Sequence, residues 1–221
     1  MKRSQKIIMI TMAVLLSIKS TAFGQIPVEL FAGNEKSTID IMFFKFFKNK
    51  HGQNSEFLFF NRNRASVDYR MTSDRYLPSF GFTEAISYNN IKFKGFAPVA
   101  VIQFLNSGIT PKAGIQYAKI TGNMTLFSWY VSEMKNTPKT DFFVLLRYTD
   151  KLTDKTQFFS QIESLNVLPV NSMDNLNFIQ RFRLGLKFKS FQTGLGLDMS
   201  EYGRKTFVNT SNFGVFIRNE F

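Results

Sequence analysis

Apolar and polar residues alternate with a period of two along much of the chain. The clearest case is residues 177–189, where apolar side chains dominate the even positions and Arg181, Arg183 and Lys187 share the odd ones. A period of two is that of a β-strand, because its successive side chains point to opposite faces. The pattern therefore predicts a strand that separates an apolar environment from a charged one.

Similar alternation recurs in further segments. The apolar parity flips after Lys189 and Ser190, which predicts a tight turn and a hairpin with residues 191–199. The pattern also appears at 80–88, 112–117, 126–131 and 141–148. Four segments are less clear, and for them the pattern does not fix which side chains point to which face. Of these, 37–48, 55–64 and 96–105 are apolar on both faces, and 155–166 is mixed.

Turn-forming residues separate these segments at regular intervals, and strands of about ten residues joined in this way are typical of membrane β-barrels. If the last strand, 212–221, descends to the periplasm, the connections must alternate between two sides. We expect outer loops at 71–79, 106–111, 134–139, 167–176 and 201–211. We expect inner turns at 49–54, 90–95, 121–123, 150–155 and 189–190.

Alternation of the connections then requires one more strand before segment 37–48. Residues 27–32 supply it, with a turn at 33–36. The fold class predicted is therefore all-β, an antiparallel up-and-down transmembrane barrel of about twelve strands. Ten strands would result if 27–32 or 155–166 did not pair.

Residues 1–24 have the pattern of a cleaved signal peptide. A basic start is followed by an apolar stretch at 7–18 and by Ala22-Phe23-Gly24, with small residues at the positions that signal peptidase reads. The stretch is shorter than the roughly 18–20 apolar residues that a membrane-spanning helix needs. We therefore expect an exported chain with one domain, residues 25–221, which could cross a membrane only as a closed barrel.

Composition restricts the chemistry that the chain can perform. The 221 residues include no cysteine and a single histidine, His51, so that disulfides, thiol nucleophiles and zinc ribbons are excluded. His51 lies in a predicted inner turn, and no Gly-x-Ser-x-Gly motif is present. We therefore expect no enzyme, no metal and no cofactor. The 27 phenylalanines indicate a large apolar surface.

The net charge of +12 would fall to +8 on removal of Lys2, Arg3, Lys6 and Lys19 with the signal peptide. The remaining basic residues are spread over many strands, which argues against nucleic-acid binding. Strand parity predicts that the following charged residues face the lumen, the last with a less certain register: Arg147, Arg181, Arg183, Lys187, Lys112, Asp141, Asp198, Arg218, Glu220 and Glu84. Asp40 and Glu163 are further acids whose register is open.

These charges have two interpretations. They could pair with one another and fill a narrow barrel, because small barrels are filled by side chains. Alternatively, they could line a net-basic pore for small anionic solutes, because basic rings favour anions.

Two further groups of residues are candidates for contacts at the membrane surface. Arg62 and Arg64 lie near the predicted outer rim and could bind lipopolysaccharide phosphates, since arginine pairs with phosphate in a bidentate manner; the alternative is an exposed, charged strand end. The candidates for an interfacial aromatic girdle, or for ordinary strand packing, are Trp129, Tyr130, Tyr148, Tyr117 and Tyr88.

The last residues carry a resemblance to a known class. Phe213, Val215, Ile217 and the terminal Phe221 share one strand face, although Asn219 stands where an aromatic residue is usual. This resembles the terminal strand of Gram-negative outer-membrane β-barrel proteins, whose final aromatic residue is recognised by the barrel assembly machinery. The resemblance implies location in the outer membrane, contact with its lipid, and Phe221 as the assembly signal.

A shorter segment resembles a narrower group. Residues 77–84, Leu-Pro-Ser-Phe-Gly-Phe-Thr-Glu, lead into Tyr88 and are similar to a strand of the nucleoside-specific channel-forming outer-membrane proteins, which are twelve-stranded. The likeness covers about a dozen residues and implies no binding residue.

The sequence thus predicts a small outer-membrane barrel that acts as a narrow channel for small polar or anionic solutes. One alternative is a non-conducting barrel with a structural or partner-docking role. Another is a secreted soluble β-barrel or sandwich that binds a small apolar ligand, because alternation alone does not tell which face contacts lipid.

Overall fold

The computed structural model describes residues 26–69, 79–171 and 173–221, and these residues form a closed antiparallel barrel of twelve strands. The strands are β1 (Pro27–Gly33), β2 (Lys36–Lys48), β3 (Asn54–Asp68), β4 (Ser79–Tyr88), β5 (Phe96–Leu105), β6 (Gly108–Ile120), β7 (Met124–Glu133), β8 (Lys139–Lys151), β9 (Gln157–Pro169), β10 (Leu176–Phe188), β11 (Phe191–Gly203) and β12 (Phe207–Glu220). Each strand pairs with its neighbours in sequence, and β1 pairs with β12 to close the sheet. The predicted fold class is confirmed, including the added first strand. The predicted signal peptide lies outside the described residues.

The connections that the structure describes lie alternately at two ends of the barrel, as predicted; of the predicted outer loop 71–79, all but Ser79, the first residue of β4, lies outside the described residues. Ile26 and Phe221 lie together at one end, the terminal end, where each backbone N–H donates to the other residue's carbonyl at 2.9 and 3.1 Å. The predicted inner turns are at this end, and one of them contains a short 3₁₀ turn at Ile91–Phe93. We call the opposite end the loop end.

One predicted loop, 201–211, is wrong in length. Strand β11 continues to Gly203, which pairs with Phe207 at the start of β12, so that only residues 204–206 form the connection. Gly203 has a φ of +152°. A Cβ atom there would lie 2.0 Å from the carbonyl oxygen of Thr206, so this tight hairpin depends on glycine.

An asparagine of β12 holds β12 to the turn between β1 and β2 at the loop end, which is the seam of the barrel. The Asn212 Oδ1 atom accepts hydrogen bonds from the backbone N–H groups of Glu35 and Lys36 at 2.8 and 3.1 Å, and its Nδ2 donates to the Lys36 carbonyl at 3.1 Å. A Cβ atom at Gly33 would lie 2.1 Å from the Asn212 Oδ1 atom. The seam therefore requires the small residue at position 33 as well as the amide on β12.

The outer face of the barrel is covered with large apolar side chains. Ile115, Tyr130, Phe213 and Leu184 are each more than half exposed, and they lie on four different strands. A contiguous apolar surface of this kind on a closed barrel is suited to contact with lipid. Within the part of the chain that the structure describes, no helix is long and apolar enough to span a bilayer.

Inside the barrel, the described side chains divide into two halves. One half is apolar and is built on β2–β8; we call it the apolar cluster. Its members are Met42, Phe60, Ala85, Val99, Val101, Phe127, Trp129, Val131, Phe143 and Leu145. The other half carries charged side chains on β1–β3 and β9–β12.

The apolar cluster explains the segments that are apolar on both faces, because one face packs in the lumen while the other lies outside. It also corrects one expectation. Trp129 points inward and is 4% exposed, so it is not part of an interfacial girdle, whereas Tyr130 beside it is 58% exposed on the outer face. The Trp129 ring lies 5.2 Å from that of Phe60.

Candidate functional site in the barrel lumen

Arginine side chains from β3 and β10 meet acids from β2, β9 and β11 in the charged half of the lumen. Arg62 pairs with Asp40 on the neighbouring strand and, across the lumen, with Glu163 at 2.8 Å. Arg181 reaches the same Glu163 at 3.2 Å. These contacts join strands on opposite sides of the barrel, because residues 62 and 163 are brought together only by closure.

The ion pairs continue toward the seam of the barrel. Asp198 accepts from Arg64 and Arg183, both at 2.7 Å. Arg183 also donates to Glu29 at 2.8 Å, and Glu29 pairs in turn with Arg218. The contacts therefore form one connected chain of charges from β2 and β3 to β12.

Aromatic rings support this chain of charges from the side. The Arg183 guanidinium carbon lies 4.1 Å from the centre of the Phe31 ring, and that of Arg218 lies 4.9 Å from the Phe159 ring. Both rings are almost fully buried. Cation–π contacts of this kind hold the guanidinium groups in place without using their hydrogen-bond donors.

We call the whole set the arginine network. It comprises six arginines and four carboxylates: Arg62, Arg64, Arg147, Arg181, Arg183 and Arg218, with Glu29, Asp40, Glu163 and Asp198. Arg147 joins it through Gln161, since its Nε donates to the Gln161 Oε1 atom at 2.8 Å and Arg218 donates to the same oxygen at 3.0 Å. The arginine network therefore carries an excess of positive charge.

Two further inward ion pairs lie apart from the arginine network. Lys112 and Asp141 are 2.5 Å apart and are 4% and 1% exposed, among the strands of the apolar cluster. Lys187 and Glu220 are 2.6 Å apart nearer the terminal end, where Gln192 also donates to Glu220 at 2.7 Å. Each of these lumen candidates thus faces inward and is paired.

A cavity of about 220 Å³ lies on the loop-end side of the arginine network; we call it the vestibule. Its charged lining consists of Lys36, Arg64, Arg181 and Asp198, so that three cations face one acid. Four hydroxyl side chains complete its polar wall: Ser66, Ser79, Ser200 and Thr210. The vestibule can therefore offer charge and hydrogen bonds to a small polar anion.

A second cavity, of about 10 Å³, lies deeper in the lumen and is bordered by Glu29, Asp40, Arg147 and Arg218. Its volume is close to the roughly 10–15 Å³ that one water molecule needs. The side chains around it are paired, and Phe159 and Phe216 nearby are fully buried. At this depth the side chains around the cavity leave room for about one water molecule.

The structure does not place all predicted site residues where the sequence suggested. Arg62 and Arg64 point into the lumen and are paired with acids there, so they are not available to lipopolysaccharide. Glu84 lies on the outer face, because Ala85 and Ser87 beside it occupy the inner face and are buried. Arg62 and Arg64 fall in a segment with side chains of one kind on both faces, where parity gives no direction. Glu84 has the parity of the apolar Phe82 and Ile86, so the inward expectation for it ran against the alternation.

The sequence analysis missed Glu29, which anchors Arg183 and Arg218. Its position between Val28 and Leu30 in a strand of only seven residues is a weak signal, although alternation alone would have placed it inward. His51 lies in the turn between β2 and β3 at the terminal end, away from the arginine network. Among the described residues there is no cluster of three or more histidine, cysteine, aspartate or glutamate side chains that could hold a metal.

Comparisons with known proteins give a likeness of fold only. No family model and no curated protein matches the chain. A structure described as a KdgM porin in complex with disordered oligogalacturonate is 11% identical, with a TM-score of 0.46 over 89% of this chain and 99% of that chain. A NanC porin is 8% identical, with a TM-score of 0.47 over 90% of this chain and 99% of that one.

A third similar structure is OmpT of Vibrio cholerae, which is 10% identical with a TM-score of 0.39 over 92% of this chain and 99% of that chain. Identities and TM-scores at this level do not define a shared function. The predicted likeness to nucleoside-specific channels depends partly on Leu77 and Pro78, which lie outside the described residues, and it stays a prediction.

Proposed function

We propose that this protein is a narrow outer-membrane channel for small anionic solutes. The observation that carries the proposal is the charge of the vestibule, where Lys36 adds to three members of the arginine network, Arg64, Arg181 and Asp198, so that three cations face one acid. The apolar outer face supports a location in the membrane. We expect the barrel to contact outer-membrane lipid and Phe221 to be the residue read by the assembly machinery.

Two guanidinium donors beside the vestibule are only loosely held. The Arg64 Nη1 and Arg181 Nε atoms lie 3.5 and 3.9 Å from carboxylate oxygens of Asp40 and Asp198, and among the described residues no acceptor hydrogen-bonds to either nitrogen. A buried donor without a partner costs free energy, and an anion that approaches these guanidinium groups relieves that cost. The cavity volume of about 220 Å³ restricts the solute to a small molecule.

The route beyond the vestibule passes through the arginine network. Four of its arginines contact two carboxylates each, so a solute anion can replace one carboxylate while the other contact remains; they are Arg62, Arg64, Arg181 and Arg183. Basic side chains that bind an anion weakly at several successive sites favour its passage. Because the deeper cavity has room for about one water molecule, we expect a small conductance.

Planar-bilayer recording of the purified protein tests this proposal. We expect small unitary currents and a reversal potential in a salt gradient that shows anion selectivity. In the double variant Arg64→Gln/Arg181→Gln, the vestibule loses two of its three cations, and we expect selectivity to shift toward neutral. The matched control is Lys155→Gln in an exposed turn, which should leave the reversal potential unchanged. Cation selectivity of the unaltered protein would contradict the proposal.

One observation favours a second candidate function, a non-conducting barrel with a structural or docking role. Phe127, Leu145, Phe159 and Phe216 are fully buried inside the barrel, and the deeper cavity has room for about one water molecule. A protein that migrates as a folded, heat-modifiable barrel but passes no ions in any solute tested would favour this candidate. We propose no catalytic role, because the lumen acids of the arginine network are held by arginines and are not free to act as bases.

A further inference from the structure

Exposed lysines are concentrated in one sector at the terminal end of the barrel, formed by β2 to β6. Residues 45–57, 88–97 and 117–125 of this sector contain six lysines and one acid, Glu56, which leaves a net charge of +5. All six lysine side chains are exposed. We call them the lysine rim: Lys45, Lys48, Lys50, Lys92, Lys94 and Lys119.

The other charged margins of the barrel are close to neutral. At the terminal end of β8 to β12, residues 150–157, 186–192 and 219–221 carry four lysines and three acids. At the loop end, five cations meet five acids among the described residues of the connections and adjoining strand ends. They are Lys36, Lys135, Lys139, Arg204 and Lys205, with Glu35, Asp68, Glu133, Asp174 and Glu201. The excess of positive charge therefore belongs to one sector of one end.

Aromatic rings cover the outer face directly beside the lysine rim. The Phe57 and Tyr88 rings are 5.4 Å apart, and Phe93 of the 3₁₀ turn lies 6.3 Å from Tyr88. The Phe96 and Tyr117 rings, on the next two strands, are 5.0 Å apart. Aromatic residues at the ends of outer-face strands mark the boundary between acyl chains and headgroups. The lysine rim therefore lies at the depth of the headgroups.

The 3₁₀ turn between β4 and β5 brings apolar and basic side chains together at this boundary. Ile91 is 91% exposed and Phe93 is 45% exposed, and Lys92 and Lys94 alternate with them. Asn90 fixes the turn, since its side chain accepts a hydrogen bond from the Lys92 N–H at 3.0 Å. Exposed apolar side chains gain free energy when they leave water. The turn is therefore suited to a surface with acyl chains on one side and charged groups on the other.

The lysine rim has no internal counter-charge. Among the described residues, no carboxylate forms an ion pair with any of its six members, and only Lys48 has a side-chain partner, the Asn54 Oδ1 atom at 2.6 Å. Glu56 accepts instead from the Asn90 Nδ2 atom at 2.8 Å. Outside the sector, by contrast, Lys151 pairs with Asp154 at 2.7 Å. Unpaired ammonium groups beside a membrane are attracted to anionic lipids.

We propose that the lysine rim binds the headgroups of anionic phospholipids in the leaflet at the terminal end. The inference rests on the membrane location that the channel proposal assumes, and it does not require the lumen to conduct. Lipid phosphates complement the ammonium groups, and the neighbouring rings and Ile91 pack against the same lipids' acyl chains. In the predicted orientation this end faces the periplasm, and with it the phospholipid leaflet of the outer membrane.

Short-range quenching of a fluorophore by brominated lipids tests this proposal. Because the chain contains no cysteine, a single one can carry the label. Ala100→Cys places it on the outer face of β5 in the sector of the lysine rim, and Ser160→Cys places a matched label on β9. Each protein is reconstituted in mixed phosphatidylcholine and phosphatidylglycerol vesicles, with bromine on the acyl chains of one lipid or the other.

We expect phosphatidylglycerol to be enriched about fivefold at the β5 label, which corresponds to about 1 kcal/mol, the attraction of one surface lysine. We expect no enrichment at the β9 label. Higher salt should reduce the enrichment, because it screens exposed charges. The triple variant Lys45→Gln/Lys50→Gln/Lys92→Gln removes half of the lysine rim and should bring the enrichment close to one.

A second triple variant, Lys151→Gln/Lys155→Gln/Lys189→Gln, removes the same amount of charge from the other sector of the same end. It should leave the enrichment at the β5 label unchanged. The six substituted lysines are exposed, so both triple variants should keep the heat-modifiable migration of a folded barrel.

Several outcomes would overturn the proposal. They are equal quenching by the two lipids at the β5 label, equal enrichment at the β9 label, and an enrichment that survives the lysine-rim variant or is lost in the second triple variant. Copurification of an acidic protein that is lost only with the lysine-rim variant would assign the surface to that protein instead. Enrichment around a barrel that passes no ions would refute the channel alone, whereas labels that neither lipid quenches would refute the membrane location itself.

Discussion

The two halves of the lumen are filled in different ways. The apolar cluster is packed with buried rings and aliphatic side chains, and the Phe127 and Trp129 rings lie 5.6 Å apart there. The arginine network contains long side chains that are held by shared carboxylates. The apolar cluster cannot line a route for a polar solute, because no polar group of a solute could replace its contacts. The second half can exchange partners, so any route through the barrel runs along it.

The two halves also differ in how much redundancy they contain. Glu163 pairs with both Arg62 and Arg181, so the loss of one partner leaves the other. Among the strands of the apolar cluster, Lys112 pairs with Asp141 and lies opposite Glu133 of β7, and the Nε1 atom of Trp129 has no described hydrogen-bond partner. Substitutions should therefore have different consequences in the two halves.

The largest effect is expected for Phe127→Ala, in the centre of the apolar cluster. Phe127 is 0% exposed and contacts the rings of Phe44, Phe60 and Phe143. Removing a buried phenylalanine ring costs about 3–5 kcal/mol of unfolding free energy, because a cavity remains. Urea titration in lipid vesicles, followed by tryptophan fluorescence, measures the loss. Tyr130→Ala on the outer face is the control. An equal loss of unfolding free energy there would contradict the conclusion that the apolar cluster stabilises the barrel more than the outer face does.

The next effect concerns the Lys112–Asp141 ion pair. Asp141→Leu removes the carboxylate that contacts the buried Lys112 ammonium and leaves Glu133, opposite Lys112 on β7, as a more distant acid, so it should cost about 3 kcal/mol of unfolding free energy. The double variant Lys112→Met/Asp141→Leu replaces the whole pair by apolar groups, and we expect it to recover most of the loss. Urea titration of the two variants side by side tests this. If the double variant were less stable than Asp141→Leu, Lys112 would stabilise the folded barrel through interactions other than its ion pair with Asp141.

The smallest effect is expected for Trp129→Phe. The substitution removes a buried N–H donor that has no described partner and keeps an aromatic ring, so the unfolding free energy should change by less than about 1 kcal/mol. Thermal unfolding followed by circular dichroism measures it. A large loss would show that the indole N–H has a partner, and the apolar cluster would then not be wholly apolar.

Particular residues show how far the sequence analysis reached. In β10 and β11, clean alternation correctly placed Arg181, Arg183 and Asp198 on the inner face. In β3, the run Asn-Arg-Asn-Arg is polar at every position, and parity could not show that Arg62 and Arg64 point inward. On β4, Glu84 shares its parity with Phe82 and Ile86, so the alternation points outward and the inward expectation for this one charged residue was wrong.

The sequence by itself determined the twelve strands, their order and most of their inward faces, because a period of two and the turns between runs are local properties. Only the tertiary structure decided which charges meet. Arg62 contacts Glu163 and Arg183 contacts Glu29 because closure of the barrel brings β3 to face β9 and β10 near β1. The division of the lumen has the same origin, since packing across a closed barrel depends on residues far apart in the chain.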